Sequence, residues 1–305
     1  MGANSKIEWT HHTFNPWVGC TKISPACAHC YAEAWAKRSG LVQWGDQAER
    51  RHTSLANWGQ PRKWNENARR EGVRRRVFCA SLADVFEDRA ELIPWRTELF
   101  NLIDQTRALD WLLLTKRPEN IQRLWPESFQ DHTRCPNIWL GATVENQEMA
   151  DRRIPALLKA PAKVRFLSCE PLLGRVNLAF LANASQLHWV IAGGESGQSA
   201  RPMHPDWARL LRDQCQSAGA QFHFKQWGEW IGGKFDRRKS KMICQATELG
   251  TEFGEIFWTN PGAPKVHLWD EADHYWTNAS ARIGKKLAGR VLDGQTWDQF
   301  PEVSQ

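Results

Sequence analysis

Seven short runs rich in β-branched and aromatic residues, separated by stretches of helical periodicity, constrain this sequence more than any other feature. The runs are Thr13–Val18, Val77–Ser81, Trp111–Thr115, Ile138–Thr143, Val164–Ser168, Trp189–Ala192 and Gln221–Lys225. Helix-period segments lie among them at Tyr31–Ser39, Pro94–Ala108, Asn146–Lys159 and Pro205–Ala218. Strands alternating with helices imply βα units and a parallel sheet. The expectation is therefore an α/β fold, a partial or complete (β/α) barrel over residues 1–235. From about Asp236 the rhythm stops, and residues 236–305 read as a C-terminal extension packed on the core, with a short basic helix over Asn278–Ala288. Hydrophobic residues make up 42% of the 305, enough for a packed core and too many for a disordered chain.

In parallel βα folds the ligand site forms where the carboxyl ends of the strands converge. Here those ends run into "CASLADVFED", "LLLTKRPEN", "WLGATVENQ", "FLSCEPLLG", "VIAGGESGQSARP" and "FKQWGEW". Turn and cap chemistry explains single cases such as Asn146 or Asp84, but polar groups at six strand ends are better explained by one shared pocket. "GGESG" lacks the Lys-Ser/Thr ending of a P-loop. Gly193 and Gly194 are read instead as permitting close backbone approach to a ligand, with Glu195 and Arg201 as polar anchors. Glu170, Lys225, Gln226 and Trp227 belong to the same set of strand ends.

Three of the eight cysteines stand in "NPWVGCTKISPACAHCYAEAW", as Cys20, Cys27 and Cys30, in the loop between the first strand and the first helix. The other five, Cys79, Cys135, Cys169, Cys215 and Cys244, are dispersed like small buried hydrophobes. That pattern fits a reducing compartment and metal chemistry better than a disulfide framework. A structural zinc is normally closed by four protein ligands. The nearby candidates His11, His12 and His29 stand at no familiar spacing, and no second C-x2-C exists. Three cysteines can also hold a four-iron cluster with one iron open. Iron–sulfur cluster, zinc or another metal, and unligated thiols all stay open on spacing alone.

The opening stretch resembles the radical S-adenosylmethionine (SAM) superfamily, and more closely a phage-associated family with the pattern "NPWxGCxKxSxGCxxCYAE". The resemblance runs on to "GKKLAGRVLDGQTWDQFP". It departs from the superfamily's commonest C-x3-C-x2-C by having six residues in the first interval, and Ala26 stands where a glycine is frequent. The resemblance implies a [4Fe-4S] cluster on Cys20, Cys27 and Cys30, with the amino and carboxylate groups of SAM on the open iron. It further implies reductive cleavage of SAM to methionine and a 5′-deoxyadenosyl radical, which takes hydrogen from a substrate, with flavodoxin or ferredoxin as electron donor. His29 occupies the place of an aromatic residue near the adenine. Ser81 and Asp84 stand near where that superfamily often contacts the SAM amino group, and Thr115, Lys116, Thr143, Glu145 and Asn146 are candidates for ribose or carboxylate contacts. Glu195 and Arg201 join them as cofactor contacts. Cys169, Glu170 and Lys225 are the candidate catalytic set, Cys169 as a hydrogen-atom donor or as a ligand for a second group.

A net charge of +6, basic knots at Arg69-Arg70, Arg74–Arg76 and Arg237–Lys239, and eighteen tryptophans suit a nucleic acid base or nucleotide as substrate. The competing reading is a zinc- or cluster-stabilised nucleic-acid-binding protein without catalysis. No apolar run approaches the roughly 18 residues of a membrane span, and the N-terminus has no signal-peptide region. The expected location is the cytoplasm.

Overall fold

The computed structural model describes residues 4–129, 135–178, 186–236, 238–239, 241–245, 253–257, 265–269 and 276–302. The chain divides into two compact units, Met1–Thr143 with Asp151–Leu167, and Val144–Ala150 with Ser168–Gln305.

The first unit opens with β1 (His12–Thr13), β2 (Trp17–Val18), α1 (Tyr31–Ser39) and β3 (Arg51–His52). It continues through α2 (Leu55–Trp58), α3 (Gln60–Glu71), β4 (Arg75–Cys79), α4 (Leu92–Gln105), β5 (Leu109–Thr115), α5 (Ile121–Leu124) and β6 (Ile138–Thr143). Next come α6 (Gln147–Leu158), whose first four residues belong to the second unit, and β7 (Val164–Cys169), at whose end the chain returns to that unit. There β8 (Trp189–Gly193), α7 (Pro205–Ala218) and β9 (Gln221–Gln226) complete the βα series. Five strands follow: β10 (Trp230–Asp236), β11 (Lys241–Gln245), β12 (Phe253–Phe257), β13 (Val266–Leu268) and β14 (Trp276–Arg282), and then α8 (Lys285–Ala288).

Seven strands form one sheet in the order β1-β4-β5-β6-β7-β8-β9. The β1/β4, β4/β5, β5/β6 and β8/β9 pairs are parallel. The order is open, with β1 and β9 as outer strands, so the α/β expectation holds in its partial-barrel form. The outer side of β9 is covered by the C-terminal segment. Phe224 N–H donates to Trp297 O, Gln299 N–H donates to Phe222 O, and His223 bridges Asp298 antiparallel. That pairing blunts a sheet edge that would otherwise be open to other chains.

The expected first strand, Thr13–Val18, is broken in two. Pro16 has no N–H to give a ladder, and Asn15 turns its side chain onto Ser81 Oγ and Leu82 N–H. Only His12–Thr13 joins the large sheet, while β2 pairs antiparallel with β3 in a sheet of its own. The expected helix over Asn278–Ala288 is also corrected. Residues 278–282 belong to β14, which pairs with β10 from Trp230↔Arg282 to Asp236↔Trp276, and α8 covers Lys285–Ala288 alone. The region expected to lack rhythm forms an antiparallel sheet, β12-β11-β10-β14-β13. Gly232 serves its packing, because a Cβ there would stand 2.7–2.9 Å from Pro205 and the Trp227 ring.

Most tryptophans with described burial are structural. Trp9, Trp17, Trp111, Trp189 and Trp227 are among the largest fully buried side chains, and Phe14 lies edge-on to both Trp58 and Trp111. Gly141 on β6 admits the buried Phe166 of β7, since a Cβ would meet its ring at 2.3–2.6 Å. Gly141→Ala is expected to destabilise by about 1–3 kcal/mol through overpacking, read as a lowered urea midpoint.

His11 and His12 lie at β1 rather than beside the cysteines. His11 Nδ1 accepts from Arg76 N–H, and the His12 ring stacks on Trp64 with centroids 4.4 Å apart. Burial, aided by nearby arginines, lowers both histidines to about 4. Their folded values lie below the unfolded one, so their contribution is full above pH 6.5 and is lost as pH falls toward 4. Thermal scans across that window are expected to show a falling Tm, and His12→Gln is expected to flatten the slope.

Candidate cofactor site

Each cysteine of the triplet is set by a different local structure. Cys20 follows Gly19, whose φ of +118° is open to glycine, and Gly19 N–H donates to Leu82 O. Cys27 ends a 3₁₀ turn over Pro25–Cys27, and its Sγ lies 3.8 Å from Ser24 Oγ. Cys30 is the N-cap of α1 and packs against Val18, Ala32 and Leu82. The Tyr31 hydroxyl donates to Ser81 O at 2.6 Å, a further tie between this loop and the one after β4.

A buried charge network underlies Cys20. Arg50 grips Glu87 with two hydrogen bonds, Nε to Oε2 at 2.8 Å and Nη2 to Oε1 at 2.7 Å, and also donates to Thr21 Oγ1 and Gly45 O. Arg117 donates through Nη1 to Asp84 Oδ2 at 2.9 Å and through Nη2 to Thr21 O at 2.9 Å. Arg117 Nη1 also lies 3.7 Å from Cys20 Sγ, and Nη2 lies 3.7 Å from Glu87 Oε1. Asp84 accepts in addition from the Thr115 hydroxyl at 2.6 Å and from the N–H groups of Lys116 and Phe86. Burial is the largest influence on the Cys20 thiol and pushes it up to about 12; Asp84 adds to the rise and Arg117 opposes it.

The first unit thus joins five of the expected residues into one connected set, Cys20, Asp84, Thr115, Lys116 and Thr143. Lys116 Nζ donates to Thr143 Oγ1 at 3.4 Å. Ser81 bonds Asn15, and His29 is exposed. Arg50, Glu87 and Arg117 are not among the expected site residues. Glu87 and Arg117 stand in quoted strand-end loops, but Arg50 lies in "QAERRH", where no periodicity or motif marks it.

The second unit brings Glu170 and Lys225 together, with Nζ 3.2 Å from Oε1. Glu195 is buried with both oxygens on Arg201, which donates at 2.8 and 2.6 Å. Glu145 is fully buried, and Asn146 Oδ1 accepts from Met149 N–H, the bond of a helix cap. Burial holds the Cys169 thiol well above its ordinary value, so it stays protonated. Cys79, Cys135 and Cys215 are buried too, and the Cys244 side chain lies outside the described residues.

The glycine expectation is corrected. A Cβ on Gly194 would stand 1.9 Å from Trp227 O, one on Gly228 2.2 Å from Glu195 O, and one on Gly193 2.9 Å from Glu170 Oε1. These glycines admit the chain's own backbone and side chains, not a ligand. The Arg74–Arg76 knot is engaged within the chain, although Arg74 is exposed and Arg75 and Arg76 are only half-buried. Arg74 pairs with Asp110, Arg75 with Glu71, and Arg76 Nε donates to Trp9 O. Arg237 lies outside the described residues.

A family model described as "Protein of unknown function (DUF5131)" matches residues 4–301. The chain belongs to that family. No curated protein matches it. Among solved structures, a cysteine-to-serine mutant of spore photoproduct lyase is similar at 14% identity, with a TM-score of 0.45, covering 84% of this chain and 71% of that one. No helix among the described residues is long and apolar enough to cross a membrane.

Among the described residues no three His, Cys, Asp or Glu side chains gather as a group able to hold a metal ion. A four-iron cluster asks for something else, because its thiolates sit on separate irons. Three thiols from one loop supply the soft donors that such a cluster selects. The residues present fit that group in chemistry.

Arg50→Ala is expected to cost about 3 kcal/mol, the low end for breaking a buried pair, because Arg117 still faces Glu87. Chemical denaturation checks the figure.

Proposed function

We propose that this chain is a radical SAM enzyme, with Cys20, Cys27 and Cys30 as the ligands of a [4Fe-4S] cluster whose fourth iron takes SAM. The observation that carries the reading is the C-x6-C-x2-C triplet in the loop before α1, bonded through Gly19 and Tyr31 to the loop that follows β4. His11 and His12, two of the three nearby fourth-ligand candidates, are engaged at β1 with Arg76 and Trp64. When bound, the reduced cluster and SAM together supply a 5′-deoxyadenosyl radical for hydrogen abstraction, the difficult step that cofactors contribute to enzymes.

The chain's own residues then have the tasks of binding and orientation. Lys116 brings a cation to the strand-end set for the SAM carboxylate, with Thr143 holding its ammonium. Asp84 organises Thr115, Lys116 and Arg117 through its carboxylate. Ser81 and His29 are assigned to SAM by the same family resemblance. The Glu195–Arg201 pair holds the strand-end loop in shape. Cys169 keeps the S–H bond that hydrogen-atom donation needs, and Lys225 Nζ is paired with Glu170 beside it in sequence. A low-potential flavodoxin or ferredoxin is the proposed electron source. A nucleic acid base or nucleotide is the proposed substrate, supported by the net charge of +6 more than by the tryptophans or the Arg74–Arg76 knot.

Anaerobic reconstitution with iron and sulfide, followed by dithionite and SAM, is expected to yield about four irons per chain, as a cubane requires, and 5′-deoxyadenosine. Cys27→Ala is expected to lose the cluster and the product together. One zinc per chain, or a loaded cluster that leaves SAM intact, would overturn the proposal.

A further inference from the structure

We infer that Arg117 tunes the electron affinity of the cluster by donating a hydrogen bond to the sulfur of Cys20, an inference that rests on the radical SAM reading above. Its Nη1 lies 3.7 Å from Cys20 Sγ, within the range of an N–H···S bond. The guanidinium is fixed from several sides. Asp84 Oδ2 accepts from the same Nη1, Thr21 O accepts from Nη2, and the Arg117 N–H donates to Thr115 Oγ1. Both Arg117 and Asp84 are buried, so the donor is shielded from water and pre-aimed. Neither Cys27 nor Cys30 has an arginine hydrogen-bonded to its sulfur among the described contacts, so the three ligands are not equivalent.

Hydrogen bonds to the sulfurs and net charge nearby are among the levers that set the potential of an iron–sulfur cluster. Adding an electron makes the cluster and its thiolates more negative. A cation donating to one of those sulfurs stabilises the reduced form more than the oxidised form. The potential rises, and the donor protein needs less driving force to load the electron. Arg117 is therefore a positioning residue: it acts through Cys20 and touches no substrate.

The test is a potentiometric titration of the reconstituted protein without SAM, followed by electron paramagnetic resonance, for wild type, Arg117→Gln and Arg117→Lys. Iron and sulfide are assayed in each. Arg117→Gln is expected to load the full cluster but to show about a tenfold smaller reduced-to-oxidised ratio at a fixed potential, ~59 mV more negative for a one-electron couple. Arg117→Lys keeps the charge without the forked donor and is expected to recover part of the shift. If the Gln variant does not assemble, the Lys variant is read alone, with a smaller negative shift expected. A fully loaded variant with an unchanged midpoint overturns this inference and leaves the enzyme reading standing. A wild type that assembles no four-iron cluster overturns the enzyme reading, and this inference with it.

Discussion

Two arginines facing two carboxylates inside the first unit hold the candidate site together. Arg50 on Glu87, and Arg117 on Asp84, form a neutral set whose members are each almost fully buried. A buried pair of this kind is a poor source of net stability, because the desolvation of both charges offsets much of their attraction. Its effect is on geometry. Each guanidinium has several donors in a fixed plane, and here they reach the hydroxyl or backbone oxygen of Thr21 in the cysteine loop as well as the carboxylates. These bonds tie the loop before α1 to the loops after β4 and β5. Removing one arginine leaves its carboxylate buried and poorly compensated, so a shift of any of the three loops would carry an electrostatic penalty.

Local signals made much of the fold legible. The α1 range Tyr31–Ser39 and the α7 range Pro205–Ala218 read correctly because punctuation marks both ends of α7 and the end of α1. Gly40 and Gly219 adopt φ of +64° and +71° at the C-caps, and Pro205 stands in the first turn of α7. The buried strands β5, β6 and β8 read correctly because they are near-continuous apolar runs, as expected of parallel strands covered on both faces. Thr13–Val18 misled because its β propensity hides the effect of Pro16 on pairing, which depends on a neighbour from another part of the chain. The strand at Trp276–Arg282 misled for a similar reason. "TNASAR" has weak local preference, and its partner β10 decides its conformation.

The candidate site was legible in part, and the division follows the physics. Cysteines at short spacing announce themselves, as do polar residues after apolar runs. A carboxylate aimed at a ligand and a carboxylate closed on an arginine look alike in one dimension. Glu195 and Asp84 are bonded to Arg201 and Arg117, partners that only the three-dimensional structure reveals. Glycines present the same ambiguity. Gly193 and Gly194 do permit a close approach, but the approaching atoms belong to Glu170 and Trp227. Arg50 had no signal at all, since it stands 37 positions from the glutamate it pairs with.

The long first interval of the cysteine motif has its own structural explanation. Between Cys20 and Cys27 the chain passes Ser24 in extended conformation and then winds a separate 3₁₀ turn, begun by Pro25, that closes when Cys27 N–H donates to Ser24 O. Proline suits the first position of such a turn, where a backbone donor would have no partner. The second interval is short because it spans only the exit from that turn to the N-cap of α1. The six residues of the first interval therefore include the approach to that turn and its first two residues, whereas the Cys27–Cys30 step spans two residues. The thiols at the two ends of the motif meet different surroundings: a charged network beside Cys20, and the apolar contacts of Val18, Ala32 and Leu82 beside Cys30. A symmetric metal centre bound there would inherit that asymmetry from the protein, with its charged side at Cys20.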